Sequence, residues 1–122
     1  MQMLLVTSLI GMLLRGSSGG VMGFRHIAPA GGKTLTVDMQ EFRFMPSQIT
    51  VDRGRVTFEV RNSGELPHVF QVTGPGGDTH IGLLPKGTTT LDVPLTRAGE
   101  YTLICPIPMH PEQGMRGSIV VR

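Results

Sequence analysis

From Lys33 to the C-terminus, short runs of alternating apolar and polar residues are separated by turn residues. In the runs 34–39 and 56–61, every second residue is apolar and the residues between are threonine or charged. A period of two residues is typical of a β-strand with one buried face. Turn sequences such as Asn62-Ser63-Gly64 separate the runs, which recur about every ten residues. This spacing predicts an antiparallel β-sandwich or barrel.

The fold class predicted for this chain is therefore all-β, with seven or eight strands in an antiparallel sandwich or barrel. No stretch after Lys33 shows a sustained helical period. The chain contains a single cysteine, Cys105, which excludes a disulfide within the chain and any four-thiolate zinc or iron–sulfur site. A bound metal could instead stabilise so small a core, because it binds the folded site better than the unfolded chain.

Residues 1–32 differ in composition from the rest and are predicted to precede the folded domain, which spans residues 33–122. Residues 1–14 carry no charge and consist mainly of leucine, methionine, isoleucine and valine. They are too few to span a bilayer, which needs about 20 residues, but they match the apolar part of an export signal. We interpret them as an export signal or a membrane anchor followed by a Gly/Ser linker. The protein is thus expected to be periplasmic, extracellular or anchored facing outside the cytoplasm.

The basic charge of the chain belongs to its N-terminal segment. The formal net charge is +2, and Arg15 and Arg25 precede the domain, so residues 33–122 hold nine basic and nine acidic residues. There is no cluster of lysine and arginine, no tryptophan and only one tyrosine. A nucleic-acid partner is therefore not expected. A neutral domain also predicts that partner docking depends only weakly on salt.

Four residues form a coherent set of metal ligands. Cys105, His110 and Met115 follow one another at five-residue intervals in a loop between the last two predicted strands, and His68 begins an earlier strand. Two imidazoles, one thiolate and a weak axial thioether characterise a blue-copper electron-transfer centre. Two further histidines, His26 and His80, have no comparable context and are predicted to lie in the linker and in a solvated loop.

Residues 33–122 resemble the cupredoxins, the small blue-copper proteins, over essentially their whole length. The spacing C-x₄-H-x₄-M is most similar to the rusticyanin-type members of that family, whereas plastocyanin-like loops are shorter. The matching stretches are Phe42–Val51, Phe58–Asn62, Leu66–Phe70, Gly99–Cys105 and Gly114–Val121.

The resemblance implies a Greek-key β-sandwich and one bound copper ion that cycles between Cu(I) and Cu(II). It implies that His68, Cys105 and His110 are the equatorial ligands and Met115 the axial one. His110 would be the partly exposed route for electrons, and redox protein partners would dock on the apolar face around it. The protein is expected to act as a monomer.

Two departures from the family pattern concern the surroundings of the ligands. Many members have Asn or Ser just after the first histidine and a hydroxyl residue after the cysteine, where this chain has Val69 and Pro106. A side-chain hydrogen bond between the two ligand loops is therefore missing, but the backbone N–H of Val69 can still point at the Cys105 sulfur. Met109 also stands where glycine often precedes the second histidine.

The leading functional hypothesis is a one-electron carrier. The alternative is a copper-binding module for delivery or storage, which would share the ligands but exchange its metal readily. An enzyme is not expected, because the two-copper centre of respiratory oxidases needs two cysteines. The paired H-x-H motifs of multicopper oxidases are also absent from the sequence.

Overall fold

The computed structural model describes residues 33–122, which form nine β-strands in two sheets. In chain order the strands are β1 Lys33–Gln40, β2 Arg43–Met45, β3 Gln48–Val51, β4 Gly54–Asn62, β5 His68–Gly74, β6 Gly77–Leu83, β7 Thr88–Leu95, β8 Gly99–Ile104 and β9 Arg116–Val121. One sheet has the order β2-β1-β4-β7, and the other has the order β3-β9-β8-β5-β6. The N-terminal segment predicted over residues 1–32 lies outside the described residues.

The all-β sandwich predicted from the alternation is confirmed, with two differences in detail. The additional strand is β2, which has three residues and is too short to show an alternating pattern. Two of the strand pairs, β1 with β4 and β3 with β9, are parallel rather than antiparallel. Parallel pairing requires a connection that leaves the sheet between the two strands, and between the partners of each of these pairs the chain passes through at least one strand of the other sheet. In the part of the chain described, no helix is long and apolar enough to cross a membrane.

The apolar face of each strand is buried between the two sheets. In β4 the burial alternates residue by residue, so that Val56, Phe58 and Val60 are fully buried while their neighbours reach solvent. The Phe58 ring meets Phe70 of the opposite sheet with centroids 5.1 Å apart. Burying an aromatic or large aliphatic side chain of this kind contributes about 1.5–3 kcal/mol to stability, so this interface holds the two sheets together.

Three connections meet at one end of the sandwich. His68, the first residue of β5, pairs with Leu83, the last residue of β6. Strand β8 pairs antiparallel with β5 and ends at Ile104, directly before Cys105. The connections β4–β5, β6–β7 and β8–β9 therefore all lie at this end, and the last of them is the loop with the predicted ligands.

Candidate metal centre

The structure brings three of the four predicted ligands together at this end of the sandwich. His68 is fixed as the first residue of β5, Cys105 directly follows β8, and His110 lies within the connection to β9. His68 Nδ1 is 3.3 Å from His110 Nδ1, and Cys105 Sγ is 3.5 Å from the same His110 nitrogen. The three donor atoms all lie within 4.8 Å of one another. Strand pairing thus places residues distant in sequence around one point.

All three side chains are buried. His68 and Cys105 have no exposed surface, and His110 retains 8%. Burial disfavours the charged form of the His110 imidazole and lowers its pKa below the ordinary 6.5, and His68 nearby lowers it further. A neutral imidazole is the form that binds a metal, so the surroundings of His110 favour the state a ligand needs.

Two of the three distances between the donor atoms are close to those that one metal ion bound by all three would require. A divalent ion lies about 2.0 Å from an imidazole nitrogen and about 2.3 Å from a thiolate sulfur. At trigonal angles these lengths separate two nitrogens by about 3.5 Å and a nitrogen from the sulfur by about 3.7 Å. The two measured distances from His110 Nδ1, 3.3 Å and 3.5 Å, are close to those values. The donor set of two imidazoles and one sulfur is compatible with one copper ion.

Met115 is buried beside these residues, directly before β9. It has no exposed surface, its backbone N–H donates to the His110 carbonyl at 3.1 Å, and its own carbonyl accepts from the Cys105 N–H at 3.2 Å. These two backbone bonds tie the residue to the start of the ligand loop and to His110 in its middle. The axial role of its thioether stays a prediction.

The loop between Cys105 and Met115 is held by local turns. His110 N–H donates to the Ile107 carbonyl at 3.0 Å, and Gly114 N–H donates to the Pro111 carbonyl at 3.0 Å. Gly114 has φ +115°, a backbone conformation that residues other than glycine rarely adopt. Three prolines restrict φ elsewhere in the loop: Pro106, Pro108 and Pro111.

Met109 adopts φ 78°, in the left-handed region that favours glycine. Glycine adopts this conformation without strain, so the glycine often found at this position in the family suits the loop. The methionine that replaces it here is 64% exposed, so its side chain lies on the surface next to His110.

The predicted contact between Val69 and the cysteine sulfur is confirmed. The Val69 backbone N–H donates to Cys105 Sγ at 3.3 Å, and it joins the β5 side of the centre to the loop side. A backbone donor needs no particular side chain at position 69, which explains how the centre forms without the usual Asn or Ser.

Sequence reasoning missed one residue of this centre, Glu41, in the turn between β1 and β2. Its Oε2 accepts a hydrogen bond from His68 Nε2 at 2.7 Å. The backbone N–H of Glu65 and the imidazole of His68 hold the pKa of the Glu41 carboxyl at about 2, although partial desolvation opposes them. An ionised carboxylate can only accept a hydrogen bond, so Nε2 of His68 carries a proton, and Nδ1 is the nitrogen that would bind a metal.

The two remaining histidines are not in the centre. His80 is exposed, as predicted, but it lies within strand β6 opposite Gln71 rather than in a loop. The Gly-Gly-Asp turn ends two positions earlier than its sequence suggests, because Gly77 and Asp78 already belong to β6. His26 lies outside the described residues.

Comparisons with known proteins bear on the family and on the fold of this chain. The family model of the cupredoxin-like domain matches residues 9–121. The copper-resistant cuproprotein CopI of Rubrivivax gelatinosus is 30% identical in an alignment 113 positions long, and the match covers 74% of this chain and 67% of CopI.

Among solved structures, auracyanin from Roseiflexus castenholzii aligns with TM-score 0.66 and 19% identity, covering 73% of this chain and 96% of auracyanin. Auracyanin A from Chloroflexus aurantiacus, described as a "blue" copper protein, aligns with TM-score 0.65 and 20% identity, covering 75% of this chain and 100% of its own. The multicopper oxidase mgLAC aligns with TM-score 0.63 and 20% identity, and the match covers 74% of this chain but only 38% of the oxidase. These likenesses establish the fold.

Proposed function

This chain belongs to the cupredoxin-like family, and from that premise we propose that it carries single electrons between redox partners. The observation that carries the proposal is the convergence of two imidazole nitrogens and one sulfur in a buried centre. Bound copper would supply the one-electron couple Cu(I)/Cu(II). The protein would supply a fixed set of ligands, and no catalytic residue is assigned to it.

Each ligand has a distinct contribution in this proposal. His68 and His110 bind through Nδ1, and Cys105 binds through its thiolate with the Val69 N–H directed at the sulfur. Met115 would be a fourth, weaker ligand through its thioether; it is buried, and its backbone is hydrogen-bonded to both Cys105 and His110. Because strands and turn bonds hold these groups, they would move little between oxidation states, which favours fast electron transfer.

Partners are proposed to dock on the apolar surface around His110. The three connections at this end of the sandwich carry exposed apolar side chains: Leu66, Leu84 and Met109, with exposures of 41%, 73% and 64%. The nearby charges of Lys86 and Glu65 pair with each other at 3.0 Å and leave little net field. We expect a redox protein to approach His110 here, with weak dependence on salt.

The proposed location of the protein is outside the cytoplasm, because residues 1–14 match the apolar part of an export signal.

The test is an absorption spectrum with a redox titration. The protein loaded with one equivalent of Cu(II) should absorb intensely in the visible range through sulfur-to-copper charge transfer. The band should disappear on uptake of one electron per copper and return on reoxidation. A His80→Ala variant is the matched control, because His80 is exposed on β6 and should leave the band unchanged. Absence of strong visible absorption in the loaded, oxidised protein would contradict the proposal.

A second candidate function is copper delivery or storage, favoured by the relative described as a copper-resistant cuproprotein. A delivery site must release its metal, whereas the donors here are almost entirely buried. Transfer of copper to a competing chelator separates the two functions. Slow loss over hours supports the electron carrier, and loss within seconds supports copper handling.

A further inference from the structure

The Glu41 carboxylate connects three separate parts of the chain. It lies between β1 and β2, and its oxygens accept hydrogen bonds from the backbone N–H of Glu65 at 3.0 Å and of Leu66 at 3.0 Å. The same Oε2 accepts from His68 Nε2 at 2.7 Å. The first two bonds fix the carboxylate to the β4–β5 connection, and the third fixes the ring of a predicted ligand.

The β4–β5 connection is shaped to receive this carboxylate. Asn62 is buried, and its side chain donates to the carbonyls of Leu66 and Leu83 and accepts from the N–H of Gly64. These bonds hold the turn so that the next two N–H groups point at Glu41. A Cβ atom at Gly64 would overlap the Glu41 carboxylate, so glycine leaves the space that the carboxylate fills.

We propose that Glu41 is a positioning residue that aims His68 Nδ1 at the metal and favours Cu(II) over Cu(I). The inference rests on the proposed function. A carboxylate that accepts the second N–H of a ligating imidazole fixes the orientation of the ring and makes it a stronger ligand. Its negative charge stabilises the more highly charged metal ion more than the less charged one. Glu41 therefore lowers the reduction potential of the centre.

His110 has no equivalent support in the part of the chain that the structure describes. There, no carboxylate is hydrogen-bonded to its ring, whose polar neighbours are His68 Nδ1 and Cys105 Sγ. Phe42, the residue after Glu41, packs its ring edge against His110 with centroids 5.0 Å apart. Consecutive residues of one turn thus contact both imidazoles, one through charge and the other through an apolar ring.

The first test compares Glu41→Gln with Glu65→Gln. The first variant keeps the size of the side chain and an acceptor oxygen but removes the charge next to His68. The control removes a carboxylate from the same end of the protein, where Glu65 is 82% exposed and bonded to Lys86. Glu41→Gln should weaken Cu(II) binding relative to Cu(I) binding about tenfold or more, which is an increase in reduction potential of about 59 mV per factor of ten. Glu65→Gln should change the ratio by less than about threefold.

The second test uses the protein without metal and reads the orientation of the ring directly. In wild-type protein, nitrogen-15 NMR should show a slowly exchanging proton on His68 Nε2. In Gly64→Ala, whose new methyl group pushes the carboxylate aside while keeping its charge, this proton should exchange faster. Gly64 has no left-handed φ, so the variant is expected to fold.

The outcomes of the two tests are separable. If the wild-type protein binds copper and both glutamine variants shift the Cu(II)/Cu(I) ratio equally, the inference about Glu41 is wrong and the electron carrier stands. If the protein binds no copper, the proposed function is wrong, and the NMR measurement still decides whether Glu41 positions His68. Equal exchange rates in wild type and Gly64→Ala would overturn the positioning role.

Discussion

His68 and His110 face each other across the same centre, but the chain holds them in different ways. His68 lies in a strand, is completely buried, and bonds through Nε2 to a carboxylate 27 positions earlier in the sequence. His110 lies in a loop closed by short-range turn bonds and keeps 8% of its surface exposed. The strand side is therefore fixed by tertiary contacts, and the loop side is fixed by local geometry and opens to solvent.

This difference suggests a division of roles between the two sides. A ligand held by strands and a carboxylate keeps its position whether or not metal is bound. In the proposed function, the ligand that keeps part of its surface exposed, His110, would provide the short path by which electrons enter and leave. Cys105 joins the two, since its sulfur is 3.5 Å from His110 Nδ1 and accepts the N–H of Val69 on the strand side.

The largest effect is expected from the residue that both sides share. Cys105→Ser should abolish the intense visible band and weaken copper binding by more than about a hundredfold, because a buried hydroxyl cannot replace a thiolate as a soft ligand. The absorption spectrum and a copper titration measure both effects. Thr102→Ser, on the exposed face of β8, is the control and should behave as wild type. A band that survives in Cys105→Ser would show that the sulfur is not a ligand.

The two histidines should respond differently when each is shortened to glycine and free imidazole is added. In His110→Gly the gap lies next to the surface, so added imidazole should enter and restore most of the visible band. In His68→Gly the gap is buried under β5 and the Glu41 turn, and added imidazole should restore little. The visible absorption at increasing imidazole concentration measures the contrast. Equal rescue of both variants would remove the distinction between the strand side and the loop side.

A smaller effect is expected from the buried amide that shapes the strand side. Asn62→Ala removes three hydrogen bonds, to the Leu66 and Leu83 carbonyls and from the Gly64 N–H. At about 1 kcal/mol for each bond, the free energy of unfolding should fall by about 3 kcal/mol in a urea titration. Thr57→Ala, which removes an exposed bond to Asp92, is the control and should stay within about 0.5 kcal/mol. If the free energy of unfolding falls as little as in the control, the β4–β5 connection keeps its shape without the Asn62 side chain.

The same comparison explains how much the sequence could reveal. The candidate ligands of the loop side could be predicted from the sequence. Cys105, His110 and Met115 occur at regular intervals within one loop, and their chemistry is that of a copper site. The strands could be predicted because apolar and polar side chains alternate along them, and the apolar ones are buried. His68 could be proposed only through its residue type and its place at the start of a strand.

Glu41 could not be found in the same way. No spacing connects it to His68, and a glutamate in a turn after a strand is usually solvated. Its role arises because parallel pairing of β1 with β4 brings the end of β1 beside the β4–β5 connection, with Met39 opposite Asn62. That parallel pairing, like the three-residue strand β2, follows from packing of the whole sandwich rather than from any local pattern.

Acid should act on the two sides of the metal-free protein in different pH ranges. The folded pKa of His110 lies below 6.5 because of burial, so the unfolded chain takes up this proton first as the pH falls below about 6.5. The folded pKa of Glu41 is lowered from 4.5 to about 2, so here too the unfolded chain binds the proton first. Stability rises with pH wherever the unfolded state binds more protons. Both groups therefore make the metal-free protein less stable in acid, His110 below about pH 6.5 and Glu41 between pH 4.5 and 2.

Two variants assign the two ranges, with the urea midpoint of the metal-free protein measured from pH 7 downward. His110→Asn should flatten the loss of stability that begins near pH 6.5 and leave the more acidic loss in place. Glu41→Gln should do the reverse, because its amide does not titrate and the contribution of the ionised carboxylate is already missing at pH 7. A single acid transition that both variants alter equally would contradict the assignment of the two pH ranges to His110 and Glu41. In that case the difference between the strand side and the loop side would concern access to the metal and not the response to acid.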